Sequence, residues 1–201
     1  MIYFVGAGSG APDLITVRGA RLLSEADVIV YAGSLVNPAL LDYKKDGCEV
    51  YNSAKMTLEE VIAVMAPAAK AGKTVVRLHT GDPCVYGAHR EQMDELDRLG
   101  LAYEVCPGVS SFCGAAAALK AEYTLPNVSQ SVILTRMEGR TPVPEKEQIE
   151  SFAEHGATMV IFLSAGQLAR LSERLIAGGY APDTPAAIVY KATWPDEKVV
   201  R

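Results

Sequence analysis

The sequence predicts an α/β protein with a mostly parallel sheet. Short apolar runs rich in β-branched residues alternate along the chain with segments of helical periodicity. Helix-capping residues and glycines separate the two kinds of segment. This alternation is typical of parallel strands covered by helices. The chain has 201 residues, of which 49% are hydrophobic, and this is enough for one large or two small cores.

Most of the alternation lies before residue 120. Thr57 and Glu60 form a capping box that opens a helix, and Gly72 ends it. Gly100 ends the next helix in the same way. The predicted strands are 2–5, 28–31, 49–52, 74–78 and 103–106, and the predicted helices are 16–26, 57–71, 88–99 and 110–119.

Residues 121–130 are predicted to link two domains, because polar turn formers around Pro126 interrupt the alternation. Beyond this segment the pattern restarts, with Pro144 opening a helix and Gly178 and Gly179 ending another. The predicted strands are 132–135, 158–163 and 186–190, and the predicted helices are 145–155 and 167–177. We therefore expect an N-terminal α/β domain over 1–120 and a small C-terminal α/β domain over 131–201.

Composition excludes several classes of protein. The net charge of −5 argues against a nucleic-acid-binding face. The four cysteines contain no CxxC pair, so neither a metal centre nor a disulfide framework is expected. The first residues lack the pattern of a signal peptide, and no apolar run reaches the roughly 20 residues of a membrane span. We expect a cytoplasmic protein that binds neither nucleic acid nor membrane.

Four loops follow the carboxyl ends of predicted strands, at the edge where open α/β sheets bind ligands. They lie within 6–12, 79–87, 106–111 and 135–145. In the second loop, Asp82 either caps the following helix or contacts a ligand, and both interpretations stay open. In the third, Ser110 and Ser111 stand at a helix N-terminus, where they can donate to a carboxylate; capping alone also explains Ser110.

The fourth loop carries two arginines in a chain otherwise short of local positive charge. Arg136 and Arg140 flank a glycine turn, and both can meet an anionic substrate. The alternative is that Arg136 pairs with Glu138 or Glu154 at the surface.

The first loop, GAGSGAP, hints at a dinucleotide site, but the fingerprint GxGxxG is not met. Position 11 is Ala, and Asp27 precedes the second strand instead of following it. A structural tight turn is the stronger interpretation. The three histidines have no nucleophile or metal-ligand partner at a diagnostic spacing, so they are expected to be structural: His79, His89 and His155.

The order of the loops is more specific than any single loop. GAGSGAPDLIT, ADVIVYAGSLVN, LHTGDPCVYG, CPGVSSF and TRMEGRTPVPE follow one another along the whole chain. Together they resemble the tetrapyrrole methylase family. The resemblance implies a two-lobed fold, each lobe a mostly parallel or mixed sheet with flanking helices, and a second lobe shortened at its C-terminal end.

YAGSLVNP, TRMEGRTPVPE and TMVIFLSA are most similar to family members of cobalamin biosynthesis. The resemblance implies methylation of carbon 11 of precorrin-4 or cobalt-precorrin-4. S-adenosylmethionine would be the methyl donor, S-adenosylhomocysteine the product and a homodimer the assembly. Methylation of another precorrin carbon, or a non-catalytic module that binds S-adenosylmethionine or a tetrapyrrole, stays open as an alternative.

The resemblance also implies the binding residues. Those for S-adenosylmethionine are Pro12, Thr80, Gly81, Asp82, Val85, Ser110, Ser111, Leu163 and Ala192. Those for the tetrapyrrole are Ser34, Arg136, Met137 and Arg140. Methyl transfer to an electron-rich carbon needs alignment more than a side-chain nucleophile, so the sequence nominates no catalytic residue and no metal ligand.

Overall fold

A computed structural model describes residues 1–33, 35–139 and 141–201 of the chain. Its contacts group into two compact units. The first comprises Met1–Ala115 and Lys191–Glu197, and the second comprises Ala116–Tyr190 and Lys198–Arg201. The predicted domain limits, 1–120 and 131–201, stay a prediction.

The first unit is built on a five-stranded parallel sheet. The five strands are β1 (Ile2–Gly6), β2 (Val28–Tyr31), β3 (Glu49–Asn52), β4 (Val75–His79) and β5 (Tyr103–Cys106). Their spatial order is β3-β2-β4-β1-β5, so β4 is the central strand and β1 and β2 lie on either side of it. Since all five run in the same direction, the loops after β1, β4 and β5 leave one edge side by side.

Helices cover both faces of this sheet, because its strands are apolar on both sides. On one face, Phe4 packs with Val61 and Leu96. On the other, Val5 packs with Leu23. The helices of this part of the chain are α1 (Val17–Glu25), α2 (Leu58–Lys70), α3 (Arg90–Arg98) and α4 (Ser111–Leu119).

The predicted capping box at α2 is confirmed. The Thr57 amide donates to Glu60 Oε2 at 2.7 Å, and the Glu60 amide donates to Thr57 Oγ1 at 3.3 Å. Thr16 caps α1 by accepting from the Gly19 amide at 3.0 Å. Local capping chemistry therefore fixes where these two helices begin.

The second unit contains a parallel pair of strands, two helices and a hairpin. Strands β6 and β7 pair in parallel, and β8 and β9 pair antiparallel. The segment 121–130 is tied to β7, since the Thr158 hydroxyl donates to the Tyr123 carbonyl at 2.9 Å. The elements are β6 (Val132–Arg136), α5 (Ile149–Ala153), β7 (Thr158–Phe162), α6 (Leu168–Ala177), β8 (Ile188–Tyr190) and β9 (Lys198–Val200).

Two expectations for this unit were wrong in detail. The helix predicted over 145–155 is a 3₁₀ turn, Glu145–Glu147, followed by the short α5, because Gln148 is extended with ψ 150° and interrupts it. Strand β9 was not predicted. Its three residues are too few to show a period in the sequence. Across 1–33, 35–139 and 141–201, no helix combines the length and the apolar character needed to span a membrane.

Candidate functional site

The loops after β1 and β4 are joined through their backbones. The Gly8 amide donates to the Gly81 carbonyl at 3.2 Å, and the Gly81 amide donates to the Gly8 carbonyl at 2.9 Å. The Ala7 amide also donates to the His79 carbonyl at 2.7 Å. The bridge between Gly8 and Gly81 is antiparallel, unlike the parallel pairing of β1 with β4, so it is a separate connection between the two loops.

Three glycines meet where these loops cross. A Cβ at Gly108 would lie 2.3 Å from the Gly81 carbonyl oxygen, and a Cβ at Gly6 would lie 2.5 Å from the Gly108 Cα. Gly81 has φ +60°, a conformation that L side chains rarely adopt. The junction therefore admits only backbone, because the three segments lie in direct contact there.

Asp82 joins two of the loops. Its Oδ1 accepts from the Cys84 amide at 2.8 Å, and its Oδ2 accepts from the Gly108 amide at 2.8 Å. It does not cap α3, which begins only at Arg90 with His89 at the capping position. The capping interpretation was therefore wrong, and the carboxylate instead holds the loop after β4 against the loop after β5.

The segment after Asp82 is strained. Tyr86 and Ala88 have φ of 55° and 49°, unfavourable for residues with a Cβ. A Cβ at Gly87 would lie 2.0 Å from the Pro83 carbonyl oxygen. Val85, half-buried, donates its amide to the Asp82 carbonyl at 3.2 Å. Such a compact loop holds its backbone in a single shape, and strain of this kind is common at ligand-binding sites.

Two histidines stand at the base of this segment. The rings of His79 and His89 are 5.8 Å apart, and Phe4 lies 6.0 Å and 5.6 Å from them. His79 Nε2 is buried and has no hydrogen-bond partner among the described residues. Burial, aided by Arg77 and His89, lowers the pKa of His79 to about 3, so its ring is neutral. Burial also lowers the pKa of His89.

The loop after β5 leads directly into α4. Ser110 is 6% exposed, and its carbonyl accepts from the Cys113 amide at 3.0 Å. Ser111 is the first residue of the helix and is half-buried. The N-terminus of α4 favours negative charge, because its first amides have no partner within the helix. A Cβ at Gly81 would lie 3.5 Å from the Ser110 Cα, so Gly81 and Ser110 are neighbours.

The segment Lys191–Glu197 packs on the glycine loop after β1. Ala192 is buried at 6% exposure, and its carbonyl oxygen lies 2.9 Å from the Cβ position of Gly10. Pro12 begins a 3₁₀ turn, Pro12–Leu14, that closes the same loop. The structure thus brings Pro12, Thr80, Gly81, Asp82, Val85, Ser110, Ser111 and Ala192 into the first unit.

In the second unit, Leu163 follows β7 in an unusual conformation. It has φ +56° and is 76% exposed. A bulky apolar residue that is both strained and exposed gains nothing from packing within the protein.

Arg136 and Met137 end β6 and begin the TRMEGR loop. Met137 is buried, and its amide donates to Ser164 Oγ at 3.1 Å. The Arg136 guanidinium donates to the carbonyls of Met137, Thr141 and Pro142 at 3.1, 3.3 and 3.1 Å and to Thr141 Oγ1 at 3.0 Å. Within the described part of the chain, no ion pair joins Arg136 to Glu138 or Glu154. That alternative was wrong.

Glu138 of this loop is instead held by α6. Its Oε2 lies 2.6 Å from Arg174 Nη1, and its Oε1 pairs with Arg170. Arg174 Nε also lies 2.5 Å from Glu150 Oε1. Hydrogen bonds from Arg174 lower the pKa of both carboxyls. The loop is therefore closed on itself by Arg136 and anchored to α6 by Glu138. Ser34 and Arg140, predicted to bind the tetrapyrrole, lie outside the described residues.

His79 and His89, which the sequence analysis expected to be structural, lie at the base of the strained segment. Two other groups of residues were not predicted from the sequence. Glu138 was considered only as a partner of Arg136. Thr193 and Trp194 contact the glycine loop from the far end of the chain, and their signal was the KATW stretch beside the predicted Ala192.

A parallel sheet whose glycine-rich loops meet at one edge defines a ligand-binding α/β protein, and comparison gives its family. The sequence model of the tetrapyrrole (corrin/porphyrin) methylases matches residues 1–201. The chain belongs to this family.

Three similar proteins indicate which members of the family this chain resembles. A cobalt-precorrin-4 C(11)-methyltransferase of Methanocaldococcus jannaschii is 56% identical over 200 residues, 100% of this chain and 77% of that protein. The X-ray structure of a cobalamin biosynthetic enzyme, cobalt precorrin-4 methyltransferase, matches with a TM-score of 0.96 and 51% identity, covering 99% of this chain and 83% of that one.

The third is a uroporphyrin-III C-methyltransferase from Thermus thermophilus, crystallised with S-adenosylhomocysteine. It matches with a TM-score of 0.82 and 29% identity over 99% of this chain and 81% of that one. The predicted family and fold class are confirmed.

Proposed function

We propose that this protein is an S-adenosylmethionine-dependent methyltransferase that methylates carbon 11 of precorrin-4, in its cobalt form, during cobalamin biosynthesis. The observation that carries the proposal is 56% identity over the whole chain with a cobalt-precorrin-4 C(11)-methyltransferase. The TM-score of 0.96 with a cobalt precorrin-4 methyltransferase supports it. Metal-free precorrin-4 is the alternative substrate.

The residues of the first unit suit S-adenosylmethionine. At Gly6 and Gly108 the loops pack backbone against backbone, since a Cβ at either residue would clash with main-chain atoms. The N-terminus of α4, at Ser111, offers amides and a hydroxyl to a carboxylate such as that of the methionine part. When bound, S-adenosylmethionine supplies an activated methyl group.

The other proposed contacts for S-adenosylmethionine lie in two loops. Thr80 and Val85 belong to the loop after β4, which also carries Gly81 and Asp82. Pro12 and Ala192 lie at the glycine loop after β1. The resemblance to the family supports Leu163, exposed in the second unit, as a further proposed contact for the adenosine.

Methyl transfer to a ring carbon requires chiefly that the protein position the methyl donor and the macrocycle. An electron-rich ring carbon is its own nucleophile, so the protein needs to align two reactants and exclude water. The fixed loops match this demand, because backbone hydrogen bonds and the Asp82 carboxylate hold them before any ligand arrives. Binding energy then does not have to order the site.

For the tetrapyrrole we propose contacts from the TRMEGR loop and from Ser34. Arg136 donates four hydrogen bonds within its own loop. These bonds fix the conformation of the loop and hold the positive charge of the guanidinium within it. Met137 is the buried base of the loop. Arg140 is the proposed partner of the substrate carboxylates, since guanidinium groups recognise carboxylates in two-pronged geometry.

The proposal extends to assembly and location. We propose a homodimer that is located in the cytoplasm. The homodimer is supported by exposed apolar side chains of the second unit, among them Leu134, Ile176 and Tyr190. Four free cysteines support a reducing compartment. Sedimentation velocity on the purified protein tests the dimer, and a single monomeric species at micromolar concentration would contradict it.

The function is tested by incubating the protein with S-adenosylmethionine and either precorrin-4 or its cobalt complex, followed by mass spectrometry. We expect one methyl group to be added to the cobalt form, faster than to the metal-free form. Methylation of a different early precorrin only would favour a relative with another ring specificity. Tight binding of S-adenosylhomocysteine without any added mass would favour a non-catalytic module.

A further inference from the structure

One positive charge lies buried in the first unit with a neutral partner. Arg77 of β4 is 6% exposed, and within the described part of the chain it forms no ion pair. Its Nε donates to Gln92 Oε1 at 2.9 Å, and its Nη1 donates to the Val30 carbonyl at 3.1 Å. Burial lowers the pKa of Arg77 to about 10, so the guanidinium stays charged at neutral pH. Buried charges are usually paired, so the choice of glutamine at position 92 calls for a second reason.

Gln92 connects this arginine to the segment that follows Asp82. Its Oε1 accepts from Arg77, and its Nε2 donates to the Ala88 carbonyl at 3.2 Å. Gln92 is 7% exposed, and its bond to Arg77 is buried. An amide offers both an acceptor and a donor, whereas a carboxylate here would pair with Arg77 but could not donate to Ala88. The bond to Ala88 therefore accounts for a glutamine beside a buried arginine.

Ala88 is the last residue of a strained segment, 83–88, that connects Asp82 to the start of α3. Within it, Tyr86 and Ala88 have φ of 55° and 49°. Such conformations persist only where the surrounding structure holds them. His89 occupies the capping position of α3 but makes no side-chain capping bond. The hydrogen bond from the Gln92 side chain therefore provides a tie at this end of the segment.

The two ends of the segment are held by different partners. At its start, the Asp82 carboxylate accepts from the Gly108 amide at 2.8 Å. At its end, Gln92 holds Ala88. Val85 lies between them, and its amide donates to the Asp82 carbonyl at 3.2 Å. Loss of the bond from Gln92 should therefore loosen the turn around Val85 while the carboxylate of Asp82 keeps its own bonds.

We propose that Gln92 is a positioning residue for S-adenosylmethionine: held by Arg77, it fixes the end of the segment 83–88 and so the loop that carries Asp82 and Val85. This inference rests on the proposed function, in which Asp82 and Val85 contact S-adenosylmethionine. Gln92 itself is assigned no contact with S-adenosylmethionine. All of these residues belong to the first unit.

Two substitutions separate the bonds of Gln92. Gln92→Glu keeps the side-chain volume and the acceptor for Arg77, but it loses the donor to Ala88. The neighbouring guanidinium keeps the new carboxyl ionised at neutral pH. Gln92→Met has a similar volume and loses both bonds. Gln148→Glu is the matched control, because the Gln148 side-chain oxygen also accepts from an arginine, Arg174, in the second unit.

In Gln92→Glu, the Kd for S-adenosylhomocysteine should rise about fivefold, as expected for one lost hydrogen bond. The KM for S-adenosylmethionine should rise by the same factor, with kcat changed less than about twofold. Hydrogen exchange of the Val85 amide, followed by NMR, should accelerate about fivefold. The urea midpoint should stay at its wild-type value or rise, because Arg77 keeps a partner.

Gln92→Met should show the same increases in Kd and in Val85 exchange together with a lower urea midpoint, since Arg77 loses its acceptor. Gln148→Glu should keep both quantities within about twofold of wild type. If Gln92→Glu does not fold, the Val85 exchange rate of Gln92→Met decides, and a wild-type rate there contradicts the inference.

The inference is overturned if Gln92→Glu keeps the wild-type Kd and Val85 exchange rate, or if Gln148→Glu weakens binding equally. A rise in Kd confined to Gln92→Met would also overturn it, since weak binding would then follow from the unpaired Arg77 and not from Ala88. A wild-type protein that does not bind S-adenosylhomocysteine would instead remove the proposed function. Exchange at Val85 in Gln92→Glu would then still show whether Gln92 holds the loop.

Discussion

The Asp82 carboxylate accepts a hydrogen bond from the Gly108 amide at 2.8 Å, and this bond ties the loop after β4 to the loop after β5. Its other oxygen accepts from the Cys84 amide at 2.8 Å. Both oxygens of the carboxylate thus accept hydrogen bonds from main-chain amides. Asp82 therefore supports the two loops that carry several of the proposed S-adenosylmethionine contacts.

Asp82→Ala should lower the free energy of unfolding by about 1–3 kcal/mol, because the half-buried Gly108 amide loses its acceptor. The affinity for S-adenosylhomocysteine should fall with it, as the junction of Gly81 and Gly108 loosens. Urea unfolding and titration calorimetry measure the two effects. Asp46→Asn, at an exposed position, is the control. Wild-type affinity in a destabilised Asp82→Ala would contradict the account.

Leu163→Gly should separate stability from binding. Glycine relieves the positive φ of a side chain that is 76% exposed, so stability should stay the same or rise by up to about 1 kcal/mol. Affinity for S-adenosylhomocysteine should drop about tenfold, because the apolar surface for the adenosine is removed.

Lys120→Gly is the matched control for Leu163→Gly. Lys120 also has a positive φ, 51°, and follows the last residue of α4, where glycine is the favoured residue. This variant should gain stability and keep its affinity. If both variants lose affinity alike, the loss reflects glycine flexibility, and the adenosine contact of Leu163 is wrong.

Stability should depend on pH through His79. Its pKa is lowered to about 3 by burial, whereas the unfolded chain titrates near 6.5, so the unfolded state binds more protons between these values. The neutral ring therefore favours folding above about pH 6.5, and this stability is lost progressively as the pH falls towards 3, by at most about 1.4 kcal/mol per pH unit.

The measurement is urea unfolding at several pH values in wild type and in His79→Asn. Asparagine cannot titrate, so the variant should lose less stability than wild type between about pH 6.5 and pH 5. His155→Asn changes an exposed histidine and serves as the control. Parallel pH dependences in wild type and His79→Asn would show that His79 is not the group responsible.

The two arginines of α6 that form ion pairs should contribute differently to the free energy of unfolding. Arg174→Met should lower the free energy of unfolding by about 2 kcal/mol, because its side chain is 13% exposed and two carboxylates lose their partner. Arg170→Met should cost less than about 1 kcal/mol, since the Arg170 side chain is 54% exposed. Urea unfolding measures both, and equal losses would contradict the assignment of Arg174 as the main anchor of the TRMEGR loop.

The sequence predicted the parallel sheet well, because local signals determine it. The capping box at Thr57, the glycine after α3 and the apolar runs of β1 and β4 act over a few residues, and the structure has each of these elements where they indicate. Local signals were weaker in the second unit. There, Gln148 interrupts a helix that the pattern continued, and β9 is too short to show a period.

The long-range parts of the site could not be derived from the sequence. Whether Asp82 would cap a helix or bond Gly108 depends on a contact between two different loops. The bond from the Ala11 amide to Thr193 joins opposite ends of the chain. No periodicity or spacing encodes such contacts. The family resemblance identified the loops in the sequence. Which groups within these loops hydrogen-bond to one another follows only from the three-dimensional structure.

The position of the transferred methyl group distinguishes this activity from that of relatives with another ring specificity. The protein should be incubated with cobalt-precorrin-4 and S-adenosylmethionine carrying a carbon-13 methyl group, and the product analysed by NMR. The account predicts one new labelled methyl, bonded to carbon 11 of the macrocycle. A labelled methyl on any other ring carbon, or an unlabelled macrocycle recovered from protein that binds the donor, would contradict it.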